Sequence, residues 1–249
     1  MKKIDYLLLL VCTVIMLSCG SNSSAPDSQV ADDYLLFTQL EGDSTLYGLA
    51  CDGCTDTILV FLPQNCISCD PDTLNVLNAT RHHRIFGHPK VGDNVAVVRN
   101  SNDSTVADLV IDLEDLRGLW CYQVYPTLKD RADMAGMSEK KKLEQLSDSL
   151  REILATPREY GMQLQGDHSA RPIGIRHINE DNDMVEYHQP KRFSQWMLLN
   201  GDLLLMESVI DSTGQHRLTG TDTVQFVMLT ADSLMLQFKD GIRSYYRKE

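Results

Sequence analysis

Positive charge is scarce in this chain. Across 249 residues, 23 Lys and Arg stand against 35 Asp and Glu, for a formal charge of −12. An acidic surface repels phosphate backbones, which argues against a nucleic-acid partner. It also argues against polybasic docking onto anionic lipid. Long apolar runs are missing as well. The stretch Leu7–Leu17 carries no charge but falls well short of the ~20 residues of a spanning helix. Catalytic signatures are missing too. There is no Gly-x-Ser-x-Gly elbow, no His-Glu-x-x-His pair and no phosphate-binding glycine loop. The apolar fraction of 43% is ordinary for a globular protein.

What is present begins at the N-terminus. Lys2 and Lys3 precede Leu7–Leu17, small Ser18 follows, then Cys19 and Gly20. That order is the layout of a secretory signal peptide. With a cysteine at the first mature position it resembles a bacterial lipoprotein signal, although Met16 stands where leucine is usual. The resemblance implies cleavage before Cys19, lipidation of Cys19 and a signal peptide over residues 1–18. Loss of that segment removes Lys2, Lys3 and Asp5, leaving the chain one charge more negative. Attachment then depends on acyl chains, at ~0.8 kcal/mol per buried CH₂. Gly20 to Asp33 is small, polar and free of aromatics. Residues 19–33 therefore read as a flexible tether. Gly20 in place of Asp resembles outer-membrane sorting, so the expected location is the bacterial cell envelope, with the folded part periplasmic or surface-exposed.

From Tyr34 the pattern becomes short Val-, Ile-, Leu- and Thr-rich runs parted by Gly, Asp, Asn or Pro. Strands are expected over Tyr34–Gln39, Thr45–Ala50, Thr57–Leu62, Thr73–Ala79, Arg84–Gly87, Asn94–Arg99 and Thr105–Ile111. Their spacing predicts a small β-barrel over 34–112. Its Gly92-Asp93 turn ahead of Asn94–Val98 resembles turns of OB-like and SH3-like barrels. Ten acids against four bases between Tyr34 and Asp112 argue against a nucleic-acid grip there.

A second unit, 113–249, carries a helical pattern near 138–155, with Leu143, Leu146, Leu150, Ile153 and Leu154 on one face. Pro157 ends it. Strands are then expected over Glu159–Gln165, Ala170–Ile178, Met184–His188, Phe193–Leu199, Leu203–Ile210, Thr223–Leu229, Leu234–Lys239 and Ile242–Arg247. Asn200-Gly201 and Asp240-Gly241 are hairpin dipeptides. With Leu119–Tyr125 added, the strands suffice to close an up-and-down barrel. Three stretches resemble the bacterial lipocalin-like domain family. They are Gly118-Leu119-Trp120, Tyr160–Leu164 followed by Asp167 and Ala170, and Trp196–Leu205 leading to Phe226–Leu236, with Tyr245-Tyr246-Arg247 at the end. The whole chain also resembles two-domain lipoproteins of Gram-negative bacteria. These resemblances imply an all-β chain: a small N-terminal barrel, then a lipocalin-like barrel with an inserted α-helix. They also imply that Trp120 plugs one end, under a cation from Arg243 or Arg247.

The cysteines form the most chemistry-like pattern. Cys51-x-x-Cys54 and Cys66-x-x-Cys69 are separated by eleven residues. Four thiolates can surround zinc at ~2.3 Å, whereas an oxidising compartment favours disulfides. Both readings stay open, with zinc the lesser. A thioredoxin-like role fits poorly, because a strand pattern follows Cys54 where that chemistry needs a helix N-terminus. Cys121 reads as a buried, inert thiol. His82, His83 and His88 read as solvated, and Asn179–Asp183 as a turn lacking the features of a calcium loop. The expected function is non-enzymatic binding of a small apolar ligand or an envelope protein by a membrane-anchored lipoprotein. The alternative is a structural or assembly lipoprotein acting through protein contacts, its barrel filled with side chains.

Overall fold

Period-two alternation of apolar and polar residues builds almost everything seen in the computed structural model. It describes residues 40–65, 68–129, 134–174, 184–188, 190–210 and 216–249. The strand expected at Tyr34–Gln39 lies outside these residues, as do Cys19, Cys66 and the Asn179–Asp183 turn. The first strands are β1 (Thr45–Ala50), β2 (Ile58–Pro63), β3 (Asp72–Asn75), β4 (Ile85–Phe86), β5 (Asn94–Arg99) and β6 (Ala107–Asp112). Helix α1 (Leu77–Arg81) separates β3 from β4, and α2 (Leu113–Leu116) follows β6. The sheet order is β3-β2-β1-β5-β6-β4, antiparallel except for β4 along β6. An isolated parallel bridge between Asn75 and Val106 brings the end of β3 back towards β6.

The strand expected over Thr73–Ala79 stops at Asn75. The Asn75 side chain accepts from Leu77 N–H at 3.0 Å and turns the chain into α1. Such a local side-chain bond offers the backbone an alternative to the ladder. Val76 and Ala79 are buried all the same, so the apolar run serves a core from a helix rather than a strand.

The next elements are β7 (Gly118–Val124), β8 (Thr127–Leu128), α3 (Glu139–Glu144), α4 (Asp148–Ala155), β9 (Arg158–Leu164), β10 (Ala170–Ile173) and β11 (Val185–Glu186). They are followed by β12 (Gln195–Leu199), β13 (Asp202–Ile210), β14 (His216–Leu229), β15 (Ser233–Phe238) and β16 (Gly241–Lys248). The helical insertion arrives as two short helices. Ser147 breaks the pattern, since its hydroxyl accepts from Leu150 N–H at 3.4 Å and caps α4.

Eight strands form one antiparallel sheet in the order β10-β9-β7-β16-β15-β14-β13-β12. Its edges meet at the Ser169–Gln195 bridge. There Ala170 N–H donates to Ser194 O at 2.8 Å and Trp196 N–H to His168 O at 2.9 Å. Consecutive strands are thus neighbours around a nearly closed up-and-down barrel, apart from the short β8–β11 ribbon. The Asn200-Gly201 turn joins β12 to β13 with Leu199 paired to Asp202. At the last hairpin Phe238 pairs with Gly241, so Lys239 and Asp240 form the loop. The glycine there belongs to the strand.

Inward positions alternate as the pleat requires. Trp120 faces Met162 across the β7–β9 pair, Leu203 faces Val224 and Leu205 faces Trp196. These side chains, with Leu234, Leu236 and Phe238, are buried and belong to one continuous cluster. The six-stranded sheet adds Tyr47, Phe86, Ala96, Leu109 and Ile111 to that cluster, and α2 adds Leu113 and Leu116. The sheet therefore floors the barrel. Its other face covers a second core around Phe61, Leu74, Val95 and Val97.

Candidate functional site

Two structural decisions open a groove on the outside of this joint. The first is a bulge in β14. Phe226 pairs with Leu236 and Met228 with Met235, leaving Val227 as the extra residue. A bulge suspends the alternation of faces locally. Phe226 consequently points in, while Val227 and Met228 both point out, 41% and 37% exposed. The second is the short parallel strand β4. It packs Phe86 against Phe226 at 5.2 Å between ring centroids, and Gly87 N–H donates to Leu229 O at 3.1 Å. Barrel wall and sheet edge are thereby held side by side.

The groove between them encloses about 550 Å³. Its apolar lining comes from Ile58 and Leu59 of β2, Val76 ahead of α1, Ile85 and Phe86 of β4, and Val227 and Met228 of β14. Cys54, Thr55, Asp56, Thr80, His83, His88 and Thr230 supply the polar lining. Size, apolar walls and a few polar groups are the features of a small-molecule site. The Thr80 hydroxyl donates to Asp56 O at 2.7 Å, tying α1 to the β1–β2 hairpin. His88 N–H donates to Asp115 Oδ2 at 2.9 Å, with its Nδ1 4.0 Å from the same oxygen. His82 turns away, Nδ1 2.8 Å from Asn78 O.

Asp112 lies behind the groove, against Gly87. A Cβ on Gly87 would come within 2.5 Å of the Asp112 Cβ, and Gly87 has φ +88°, so glycine is required there. Asp112 caps α2 by accepting from Glu114 N–H at 2.9 Å and Asp115 N–H at 3.2 Å. Burial pushes its carboxyl up to about 6, and the nearby charges of Asp115 and Asp93 push the same way. The two backbone bonds oppose that rise without cancelling it.

The cysteines are distributed along β2. Cys51 and Cys54 precede the strand and are free thiols, whereas Cys69 follows it and is disulfide-bonded. Among the described residues no three His, Cys, Asp or Glu side chains gather as a metal ion would need. Cys121 is fully buried on β7, and burial raises its thiol above the usual range.

The barrel's two ends differ. At the floor, Trp120 Nε1 donates to Leu116 O at 2.7 Å, and the Arg247 guanidinium covers the indole at 4.4 Å. At the other end a hollow of about 210 Å³ is lined by Lys191, Asp222, Phe238 and Arg243, among others. Its charges are paired: Lys191 with Asp222 and Arg243 with Asp240, each at 2.7 Å. A larger hollow of about 760 Å³ lies beside α4 and β9, among Glu152, Arg158, Glu159 and Tyr187. Arg158 stacks on Tyr187 at 3.4 Å there, and Glu152 and Glu159 add charge to the lining. Of the three, only the seam groove counts exposed large apolar side chains, Ile58, Val227 and Met228, among its lining.

Sequence reasoning singles out Cys54, His83 and His88 but not their common groove. Phe86, Val227 and Met228 escape it as partners because they come from strands more than a hundred residues apart. The consecutive outward Val227-Met228 pair is the one local hint, and it acquires meaning only once the bulge is placed. No protein-family model, curated protein or solved structure matches the chain.

Proposed function

We propose that this protein is a lipid-anchored lipoprotein of the bacterial envelope that binds a small apolar ligand without transforming it. The ligand occupies the seam groove rather than the barrel interior. The groove carries this reading: about 550 Å³ of largely apolar space with exposed Ile58, Val227 and Met228 at its edge. The inward side chains of the barrel already form a continuous core, which leaves the outside of the wall as the seat. The signal-like N-terminus with Cys19 supports the anchor, and the acidic composition leaves attachment to acyl chains.

The test for the ligand is a fluorescence titration of the purified protein with a long-chain fluorescent fatty acid. Saturable binding is expected. Val227→Asp combined with Met228→Glu should weaken it by about tenfold or more, since a charge replaces apolar contact. Absence of binding, or binding indifferent to those substitutions, overturns the reading. For the anchor, Cys19→Ala should move the protein from the membrane to the soluble fraction; unchanged fractionation refutes it.

A second reading, contact with a protein partner, is favoured by the β13–β14 ribbon. Before Gln225 the pairing of β14 is with β13 alone, and Val209 and Leu218 on this ribbon are 51% and 55% exposed. A crosslink recovered in cells from Leu218, with no fatty-acid binding, would favour this second reading.

A further inference from the structure

We propose that Cys51 and Cys54 form a reversible disulfide site on the wall of the seam groove. Both are free, half-buried thiols at the ends of the Asp52-Gly53 turn. A β-turn keeps its outer Cα atoms within ~7 Å. A disulfide spans Cα separations of ~4.4–6.8 Å. Gly53 has φ +97°, and a Cβ there would meet Val60 Cγ2 at 3.3 Å, so the tight turn depends on glycine.

The sulfur of Cys54 already lies over the backbone of its partner. It is 3.1 Å from Cys51 O and receives the Val60 N–H at 3.4 Å. The Cys51 sulfur is turned towards Leu49 O at 3.9 Å. Closing the bond is a rotation of the Cys51 side chain towards Cys54, between staggered positions. The backbone pairing of this hairpin does not have to break, because it runs from Cys51 N–H to Val60 O at 2.8 Å.

Two sulfurs are what a disulfide needs. A zinc centre needs four ligands, and among the described residues no third His, Cys, Asp or Glu joins the pair. Cys69, in the bend between β2 and β3, is disulfide-bonded while Cys51 and Cys54 are not. Exposed disulfides are the labile ones, and Cys51 and Cys54 flank an exposed turn, Asp52-Gly53.

The oxidant is a small disulfide such as oxidised glutathione. One cysteine thiolate attacks a sulfur of the reagent, forms a mixed disulfide and releases a reagent thiolate. The second cysteine thiolate then attacks the protein sulfur of that mixed disulfide. The Cys51–Cys54 bond forms and a second reagent thiolate leaves. The protein loses two electrons and two protons, and the reagent disulfide becomes two thiols. Closure replaces the Cys54 thiol on the groove wall by a disulfide sulfur that no longer donates to Cys51 O and brings the Cys51 sulfur beside it; this consequence rests on the groove being the ligand seat.

The experiment uses the purified protein in graded mixtures of reduced and oxidised glutathione, followed by alkylation, digestion and mass spectrometry. The peptide spanning Cys51 and Cys54 should lose both alkylation tags together in oxidising buffer and regain both on reduction with dithiothreitol. Cys51→Ser and Cys54→Ser should each abolish this joint transition. The proposal is overturned if both thiols stay alkylatable in buffer where Cys69 remains bonded. It is also overturned if either pairs with a different cysteine, or if added zinc protects both stoichiometrically. Titrating the fluorescent fatty acid against each redox form separates the two readings. Affinities differing by about threefold or more support the effect on the groove. Equal affinities overturn that effect and leave the disulfide intact. A disulfide that closes in a protein that never binds the probe overturns the groove reading alone.

Discussion

The guanidinium of Arg247 lies 4.4 Å from the centre of the Trp120 ring, and the two residues face each other across the β16–β7 pair. Arg247 also donates to the carbonyls of Ala231, Asp115 and Arg117, the last at 2.6 Å. It therefore ties the β14–β15 turn, α2 and the start of β7 together over the buried indole. From the sequence, Arg243 and Arg247 are equal candidates for this place. Arg243 stacks instead on Phe238 at 4.3 Å, at the opposite end.

Loss of this arrangement should be costly. Trp120→Ala should destabilise the protein by about 3–5 kcal/mol in urea unfolding, because the indole is fully buried. Arg247→Met should cost ~2 kcal/mol or more through carbonyls left without a donor. Arg247→Lys should recover only part, since an ammonium cannot match the planar fork. A double-mutant cycle between the two sites should return a coupling of about 0.5–2 kcal/mol. Strict additivity would show that the ring and the cation act independently.

Asp112 predicts a pH dependence of defined sign. Its folded value of about 6 lies above the ordinary aspartate value of 3.8, so the folded state holds the proton more tightly. The stability it contributes is complete below about 4 and is lost as pH rises through about 6. A tenfold gain in proton affinity is worth about 1.4 kcal/mol, which sets ~3 kcal/mol as the ceiling. Urea unfolding of Asp112→Asn beside the wild type, from acid to neutral pH, should show the difference between them changing in that window. A constant difference would refute the assignment.

The Asn200 side chain joins the barrel floor to the first sheet. Its Oδ1 accepts from Ser44 N–H at 2.8 Å and from the Ser44 hydroxyl at 2.7 Å, while its own backbone N–H donates to Asp43 at 2.7 Å. It also has φ +53°, the left-handed region. Asn200→Ala should lose about 1–2 kcal/mol, from the bonds and the backbone together. Asn200→Gly should restore only the backbone share. If glycine stabilised as well as asparagine, the link to Ser44 would be energetically silent.

Val227 and Met228 should separate stability from binding. Both are substantially exposed, so Val227→Asp and Met228→Glu should each change unfolding free energy by no more than ~0.5 kcal/mol. A large destabilisation measured by urea titration would mean that the groove wall is core.

Strand positions were legible because alternation is a local property. β1 and β5 have the bounds read from the sequence, and Asn200-Gly201 makes its expected hairpin turn. Local signals failed where a single side chain chose between conformations. The run after Thr73 suits strand or helix until Asn75 bonds to Leu77 N–H. Ser147 similarly divides one helical pattern into two helices. The site was hardly legible at all. Cys54, His83 and His88 stood out by residue type, yet the surface opposite them comes from Val227 and Met228.

Composition and periodicity by themselves determined an acidic, strand-built chain with a barrel in its second half. Those properties depend on near neighbours and on the two faces of a pleated strand. Only the tertiary structure decided that the first sheet floors the barrel, that Arg247 rather than Arg243 covers Trp120, and that a bulge turns two apolar residues outward beside β4. These outcomes depend on which distant surfaces pack together. That choice is made by shape and burial over the whole molecule, and no short window of sequence contains it.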